Sequence, residues 1–213
     1  MAETSHAVLM DKTYRRQRLI YDATRAWFLL GRDHLVAHLD VPAGGRVLEI
    51  ACGTGRNLDH IARATPEGRL YGLDISEEML RSARAKLGPR AMLAHGDATA
   101  FDGRTLFSVA GFDRVFLSYS LSMIPDWTRA IDCALDHLAP GGSLHLVDFG
   151  RQHRLPSIAR AGLNAWLAKF HVTPRHTLNA HLRDVANRRG LHLEHADLFA
   201  SYAQHAILTR HSN

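Results

Sequence analysis

Cysteine is scarce in this chain. Cys52 and Cys133 are the only two in 213 residues and show no Cys-x-x-Cys spacing, so neither a disulfide framework nor a zinc site is implied. No apolar run approaches the roughly 20 residues needed to span a bilayer. Met1 to His6 lack the charged start and apolar core of a signal peptide, and a reducing cytoplasm is the expected setting. Internal repeats and low-complexity linkers are also missing, so residues 1–213 are expected to form a single domain. Lysine is nearly absent: of the 26 basic residues only Lys12, Lys86 and Lys169 are not arginine. Histidine is abundant at 15, but these residues are read as scattered surface or satisfied side chains, and no metal is assigned.

The remaining composition is that of a soluble globular chain, 46% hydrophobic and 22% charged, with enough apolar material for a sizeable core. Charge is uneven along it. Residues 1–150 are close to balanced, whereas from 151 onward nine basic residues face only Asp184, Glu194 and Asp197. An excess confined to the tail points to an anionic partner, either a nucleic acid or a lipid headgroup surface.

The most informative stretch is Val47-Leu48-Glu49-Ile50-Ala51-Cys52-Gly53-Thr54-Gly55-Arg56-Asn57, a buried-strand run that breaks into a glycine turn and enters a helix. Gly53 and Gly55 let the backbone turn sharply and approach a ligand. Asp74 closes a second strand-like run, Arg69 to Asp74, where its carboxylate can accept both hydroxyls of a ribose. A dinucleotide fingerprint needs a third glycine, but Leu58 stands there, and Glu49 would repel a pyrophosphate. A cationic nucleoside without phosphate suits an acid-lined glycine turn better. S-adenosylmethionine is such a ligand.

These residues resemble the signature of class I S-adenosylmethionine-dependent methyltransferases, and the resemblance continues in register. Met92 to Ala98 reads as a third strand ending in Gly-Asp-Ala, Phe112 to Ser120 as a fourth, and Leu138-Ala139-Pro140-Gly141-Gly142 as the turn into a fifth ending at Asp148. Alternating strand and helix patterns make βαβ units. The resemblance implies an α/β, Rossmann-like, seven-stranded, mostly parallel sheet with helices on both faces. It also implies a helical lid over residues 8–40, a cofactor-binding core over 45–150, and a part from 151 to 213 that ends in antiparallel strands at 191–199 and 202–209. In the cofactor site, Asp74 is expected on the ribose, with Cys52, Gly53 and Gly55 near the methionine portion. Glu49 and Asn57 are expected at its polar groups, Ile75 and Met79 around the adenine, Asp97 and the amide of Ala98 at the adenine edge, and Ser118 facing the methyl. Asp113 is read as structural.

Three flanking segments narrow the resemblance: residues 10–34, Ser118 to Trp127, and Phe170-His171-Val172-Thr173-Pro174-Arg175. They are similar to the bacterial betaine-lipid N-methyltransferases, which convert diacylglyceryl-homoserine to its trimethylated product and leave S-adenosylhomocysteine. Phosphatidylethanolamine, a quinone or another small molecule is the alternative acceptor. Methyl transfer from a sulfonium needs alignment, dryness and loss of the amine's proton. His171, Asp148 and His205 are the candidate proton acceptors. Tyr14, Tyr21 and Tyr119 are candidate aromatic faces for a methylated cation, each contributing on the order of 1–2 kcal/mol when dry. Arg25 and Arg175 are candidates for the homoserine carboxylate, since a guanidinium binds it in bidentate fashion.

Leu155, Ile158, Leu163, Trp166, Leu167 and Phe170 follow helical spacing with arginines between them. Such a stripe either packs on the sheet or on another subunit of a homo-oligomer, or lies in a membrane surface with Trp166 at the interface. With a lipid acceptor, peripheral contact at the inner face of the membrane through the basic C-terminal part is expected. Nucleic-acid methylation is disfavoured, because Ser118-Tyr119-Ser120-Leu121 stands where amino-methylating DNA enzymes place an Asp/Asn-Pro-Pro-aromatic motif.

Overall fold

The computed structural model describes residues 29–169 and 172–211. Its elements run α1 (Arg32–Ala37), β1 (Arg46–Ile50), α2 (Arg56–Ala64), β2 (Arg69–Asp74), α3 (Glu77–Leu87), β3 (Ala91–His95), α4 (Gly103–Phe107), β4 (Phe112–Ser118), α5 (Trp127–Asp136), β5 (Leu138–Phe149), α6 (Ser157–Lys169), α7 (Leu178–Arg189), β6 (His192–Leu198) and β7 (Ala203–Thr209). The seven strands form one sheet in the order β3-β2-β1-β4-β5-β7-β6. The first five are parallel; β7 runs antiparallel to both β5 and β6. This is the expected Rossmann-like architecture, including the antiparallel pair at the closing edge.

Burial on both faces explains the sequence of the central strands. Val47, Leu48 and Ile50 of β1 and Val115, Phe116 and Leu117 of β4 are all fully buried, so these strands read as continuous apolar runs rather than alternating ones. One core cluster packs Leu48, Ile50, Val115 and Leu117 with Ile131, Leu182 and Val185. The other packs Val47 and Phe116 with Leu35, Leu58, Ile61 and Leu80. Caps define where helices begin. Ser76 Oγ accepts the Met79 N–H at 3.3 Å to start α3, and Asp126 accepts the Arg129 N–H at 3.2 Å to start α5. At the opposite end of the sheet, Asp113 accepts the backbone N–H of Arg46 at 2.7 Å and its guanidinium at 3.2 Å. Its structural reading fits this staple.

Because β1 has β2 on one side and β4 on the other, the chain reverses direction there. A crevice opens at the carboxyl ends of these strands, the usual ligand position in open parallel sheets. Two boundaries differ from expectation. The third strand stops at His95, so Gly96-Asp97-Ala98 leaves the sheet as a loop. Within the described part of the expected lid, helix covers only Arg32–Ala37, entered through Gly31 at φ 101°. The stripe on α6 is also split: Leu167 is buried and Leu163 half-buried, while Ile158 is 87% exposed. Among the described residues no helix is long and apolar enough to cross a membrane.

Candidate functional site

The glycine turn after β1 is built by two different constraints. Gly55 has φ 72°, and a Cβ there would stand 2.7 Å from Leu87 Cδ1 and 3.2 Å from Ala83 Cβ, so it is required by the packing of α2 on α3. Gly53 has φ 55° and nothing within 4 Å of a Cβ position, so its bareness faces open space where a ligand can approach. Ala51 shares the left-handed conformation at φ 57° without being glycine, a strained residue at the mouth of the crevice.

Asp74 sits at the end of β2 with one oxygen accepting the Gly53 N–H at 2.7 Å and the other the Ser76 N–H at 2.9 Å. The same carboxylate therefore fixes the glycine turn, at the end of β2 where a ribose acceptor was expected. Glu49 is fully enclosed. Its Oε1 accepts the Asn57 amide at 2.7 Å, while Oε2 is buried with no hydrogen bond among the described residues. Burial pushes its pKa up to about 8 against the pull of Asn57 and Arg32. A carboxyl held this way is matched by a cation arriving at the turn.

Beyond Asp74 lies a mostly apolar cavity of about 320 Å³, lined by Ala51, Leu73, Ile75, Gly96 to Thr99, and Ile124-Pro125-Asp126. Asp97 accepts both the backbone N–H and the hydroxyl of Thr99 at 2.7 Å, which holds the loop that forms the cavity's polar edge. The cavity suits a planar base, the neighbouring carboxylate a ribose, and the enclosed acid an ammonium. S-adenosylmethionine is the cofactor that fits: residues 49–57 would hold its methionine portion, Asp74 its ribose, and Ile75, Asp97 and Ala98 its adenine.

Several expected roles are corrected by this geometry. Met79 is 2% exposed in the core and does not line the cavity; Ile124 and Pro125 form the wall opposite Ile75. Cys52 packs its sulfur toward Gly72, where a Cβ would come within 2.9 Å, and burial raises its thiol pKa well above the usual value. Only its backbone belongs to the turn. Tyr119 is 2% exposed, with its ring edge on Phe149 at 4.7 Å and its hydroxyl donating to the Leu30 carbonyl, so it offers no free aromatic face. Arg175 is occupied by the carbonyls of Leu121 at 3.0 Å and Ile124 at 2.7 Å, so it acts as a strut for the loop after β4 rather than a carboxylate clamp. Asp148 is fully buried and accepts the N–H groups of Ser122 at 3.0 Å and Phe149 at 2.7 Å. Burial raises its pKa to about 6, but two backbone donors occupy it and no solvent path reaches it, so it organises the loop. Tyr14, Tyr21, Arg25 and His171 lie outside the described residues, as does the side chain of Trp166.

His205 is also displaced from catalysis. It faces α1, its ring 5.1 Å from His34, 6.2 Å from His38 and 6.2 Å from His145. Burial first, and the neighbouring imidazoles second, hold His205 at about 4 and His145 at about 3. These histidines are therefore not scattered; the signal overlooked was the four-residue step from His34 to His38, which places two imidazoles on one helix face. Among the described residues, no group of three or more such side chains is placed to hold a metal ion.

At the carboxyl ends of β4 and β5, Ser118 and Ser120 each bury a hydroxyl with no hydrogen bond among the described residues, and the Ser122 side chain lies against the Asp148 carboxylate. Gln152, 1% exposed, buries both side-chain polar atoms as Ser118 and Ser120 do. Such groups are costly unless something hydrogen-bonds them, and they collect here beside the cofactor crevice. Ser118 was expected; the other three carry no signature in sequence, since serines and a glutamine in a loop are commonplace.

Fold and site together define a Rossmann-like methyltransferase fold. Residues 47–142 match the family model of a methyltransferase domain. Among curated proteins, the chain is 35% identical over 99 residues to a trans-aconitate 2-methyltransferase of Streptomyces avermitilis, covering 46% of this chain and 37% of that protein. It is 32% identical over 116 residues to a demethylmenaquinone methyltransferase of Geobacillus kaustophilus, covering 52% and 48%. The chain thus spans about half or less of these relatives. Among solved structures, a plantazolicin methyltransferase in complex with a substrate analogue and S-adenosylhomocysteine superposes with a TM-score of 0.71 at 15% identity, over 99% of this chain and 98% of that one. A possible histamine N-methyltransferase from Thermotoga maritima gives 0.67 at 17% identity, over 93% and 99%. These likenesses show the fold.

Proposed function

We propose that the chain is an S-adenosylmethionine-dependent N-methyltransferase that successively methylates the homoserine amine of diacylglyceryl-homoserine at a membrane surface. The observation that carries this reading is where two of the three resembling segments meet. Residues 118–127 and 170–175 lie about fifty positions apart, yet the Thr173 N–H donates to the Ser122 carbonyl at 3.0 Å and Arg175 holds Leu121 and Ile124. The described parts of these two segments thus meet beside the loop that lines the cofactor crevice, which supports reading them together as an acceptor wall.

Bound in the crevice, the cofactor supplies an electrophilic methyl: the amine's lone pair forms the N–C bond, the S–C bond breaks, and its electron pair leaves on sulfur as S-adenosylhomocysteine. The chain's own contribution is positional. Asp74 and the glycine turn fix the donor. The strut from Arg175 and the Asp148 carboxylate fix residues 121–124, and the hydroxyls of Ser118 and Ser120 with the Gln152 amide are available to orient a polar headgroup. The amine's proton leaves to solvent or to a residue outside the described set, since Asp148 and His205 are enclosed.

A small-molecule reading is favoured by the likeness to demethylmenaquinone methyltransferase over 52% of the chain. Incubation with labelled S-adenosylmethionine and, separately, diacylglyceryl-homoserine, phosphatidylethanolamine and a demethylated quinone separates these readings. Label should enter diacylglyceryl-homoserine in up to three additions. Label only in phosphatidylethanolamine or the quinone overturns the proposal.

A further inference from the structure

The surface of this protein treats its arginines in two ways. Many are paired: Arg63 with Asp59, Arg81 with Glu78, Arg84 with Glu77, Arg188 with Asp184, and Arg189 with Asp132 and Asp136; others, such as Arg56, Arg69 and Arg104, are exposed with no ion pair among the described residues. Between Asp148 and Asp184 the sequence has no acidic residue at all, while it carries Arg151, Arg154, Arg160, Lys169, Arg175 and Arg183. Arg154 and Arg160 are exposed and their guanidiniums form no ion pair or hydrogen bond with described residues, and the Arg151 guanidinium reaches only the His176 carbonyl at 3.4 Å.

The loop from β6 to β7 meets this segment. The Gly150 N–H donates to the Tyr202 carbonyl and the Gln152 N–H to the Ser201 carbonyl, each at 2.8 Å. That loop is strained: Phe199, Ala200 and Ser201 are three consecutive non-glycine residues at φ 51°, 54° and 63°. Ser201 is buried and ties its hydroxyl to Asp197 at 3.0 Å, whereas Phe199 is turned out and 51% exposed. Its ring edge lies 3.7 Å from a Cβ position on Gly31, next to Leu30, which is 42% exposed. Ile158, at the start of α6 and three residues after the Gln152–Leu155 turn, is 87% exposed. The described chain exposes one further large apolar side chain, Met92 on β3.

We propose that this corner is a membrane-docking surface, with Phe199 at a strained hairpin tip entering the interface of an anionic bilayer and Arg151, Arg154 and Arg160 meeting its phosphates. The inference rests on the lipid-acceptor reading and adds the partner surface of the same site. Unpaired guanidiniums beside an exposed aromatic are complementary to anionic lipid, where apolar insertion and electrostatic attraction act together. The position also serves the chemistry. The tip is bonded to residues 150–152 at the carboxyl end of β5, so a docked bilayer would present headgroups at the edge where the buried polar groups of Ser120 and Gln152 lie.

Vesicle sedimentation without cofactor or acceptor tests docking separately from activity. Wild-type protein should partition into vesicles of phosphatidylcholine with about a third phosphatidylglycerol at least tenfold more than into phosphatidylcholine alone, and added salt should reduce this difference. Arg154→Glu with Arg160→Glu should lose at least tenfold on the anionic vesicles. Phe199→Ser should lose severalfold, and Phe199→Trp should retain binding. Each variant should bind S-adenosylhomocysteine with wild-type affinity, which confirms an intact fold. Wild-type partition by both the arginine pair and Phe199→Ser overturns the surface. So does the absence of vesicle binding, or salt-sensitive binding to RNA in its place. Vesicle binding without methylation of diacylglyceryl-homoserine would leave the surface standing and remove the acceptor.

Discussion

Titration of ligand affinity against pH should expose Glu49. In the ligand-free protein this carboxyl is enclosed, with one oxygen on Asn57, and burial lifts its pKa from 4.5 to about 8. An incoming ammonium or sulfonium favours the ionised form, so binding must expel a proton below pH 8. Affinity for S-adenosylhomocysteine should therefore rise about tenfold per pH unit up to about pH 8, then level off. The ligand's own amine loses its charge near that pH, so the informative comparison is with Glu49→Gln, which should bind more weakly at pH 8 and lack the slope. The same group sets a stability trend of defined sign. Because its folded pKa is raised, ligand-free stability is fullest below pH 4.5 and is lost as pH climbs to about 8. The loss is on the order of 5 kcal/mol as an upper bound. Glu49→Gln should accordingly melt several degrees above wild type at pH 8.5 without ligand. Calorimetry and thermal melts over pH 5.5 to 9 read both effects. An unchanged slope in the variant, or no gain in melting temperature at high pH, would refute the account of this acid.

The two turn glycines should separate by assay. Gly55→Ala meets Leu87 and Ala83 and should cost about 1–3 kcal/mol of stability, whereas Gly53→Ala should cost less stability and more ligand affinity, as shown by melts and calorimetry side by side. Asp74→Ala removes both the diol acceptor and the partner of the Gly53 N–H, and should weaken S-adenosylhomocysteine binding at least about a hundredfold while the sheet stays folded. Acid should act on the imidazole group. His205 and His145 have depressed folded values of about 4 and about 3, so the stability they contribute is present above pH 6.5 and is lost as pH falls toward those values. His205→Phe should flatten that part of a melting curve recorded against pH; an identical curve would count against the cluster.

The parallel half of the sheet was readable because its signals are local. Val47, Leu48 and Ile50, broken only by the acid Glu49, and Val115 to Leu117 form the largely apolar runs of a doubly covered strand, and Gly53, Gly55, Asp74 and Ser76 each announce a turn, an acceptor or a cap within a few residues. What escaped depends on contacts across the fold. Arg175 looks in sequence like a free guanidinium after a proline, and only its approach to Leu121 and Ile124 shows that it is spent on carbonyls. Tyr119 has a suitable ring, yet its left-handed backbone at φ 54° turns it onto Phe149. Met79 fits an adenine wall by register, but Ile124 and Pro125, brought in from the loop before α5, take that place. The grouping of His34, His38, His145 and His205 joins a helix to two strands more than a hundred positions apart.

Ile124 belongs to two structures at once: its side chain lines the cavity beside Asp74, and its carbonyl is held by Arg175. A nucleoside that pushes on this residue also pushes, through a single guanidinium, on the bend at 172–176. Filling and emptying the cavity is therefore mechanically tied to a stretch of chain about fifty positions further on, with no hinge between them.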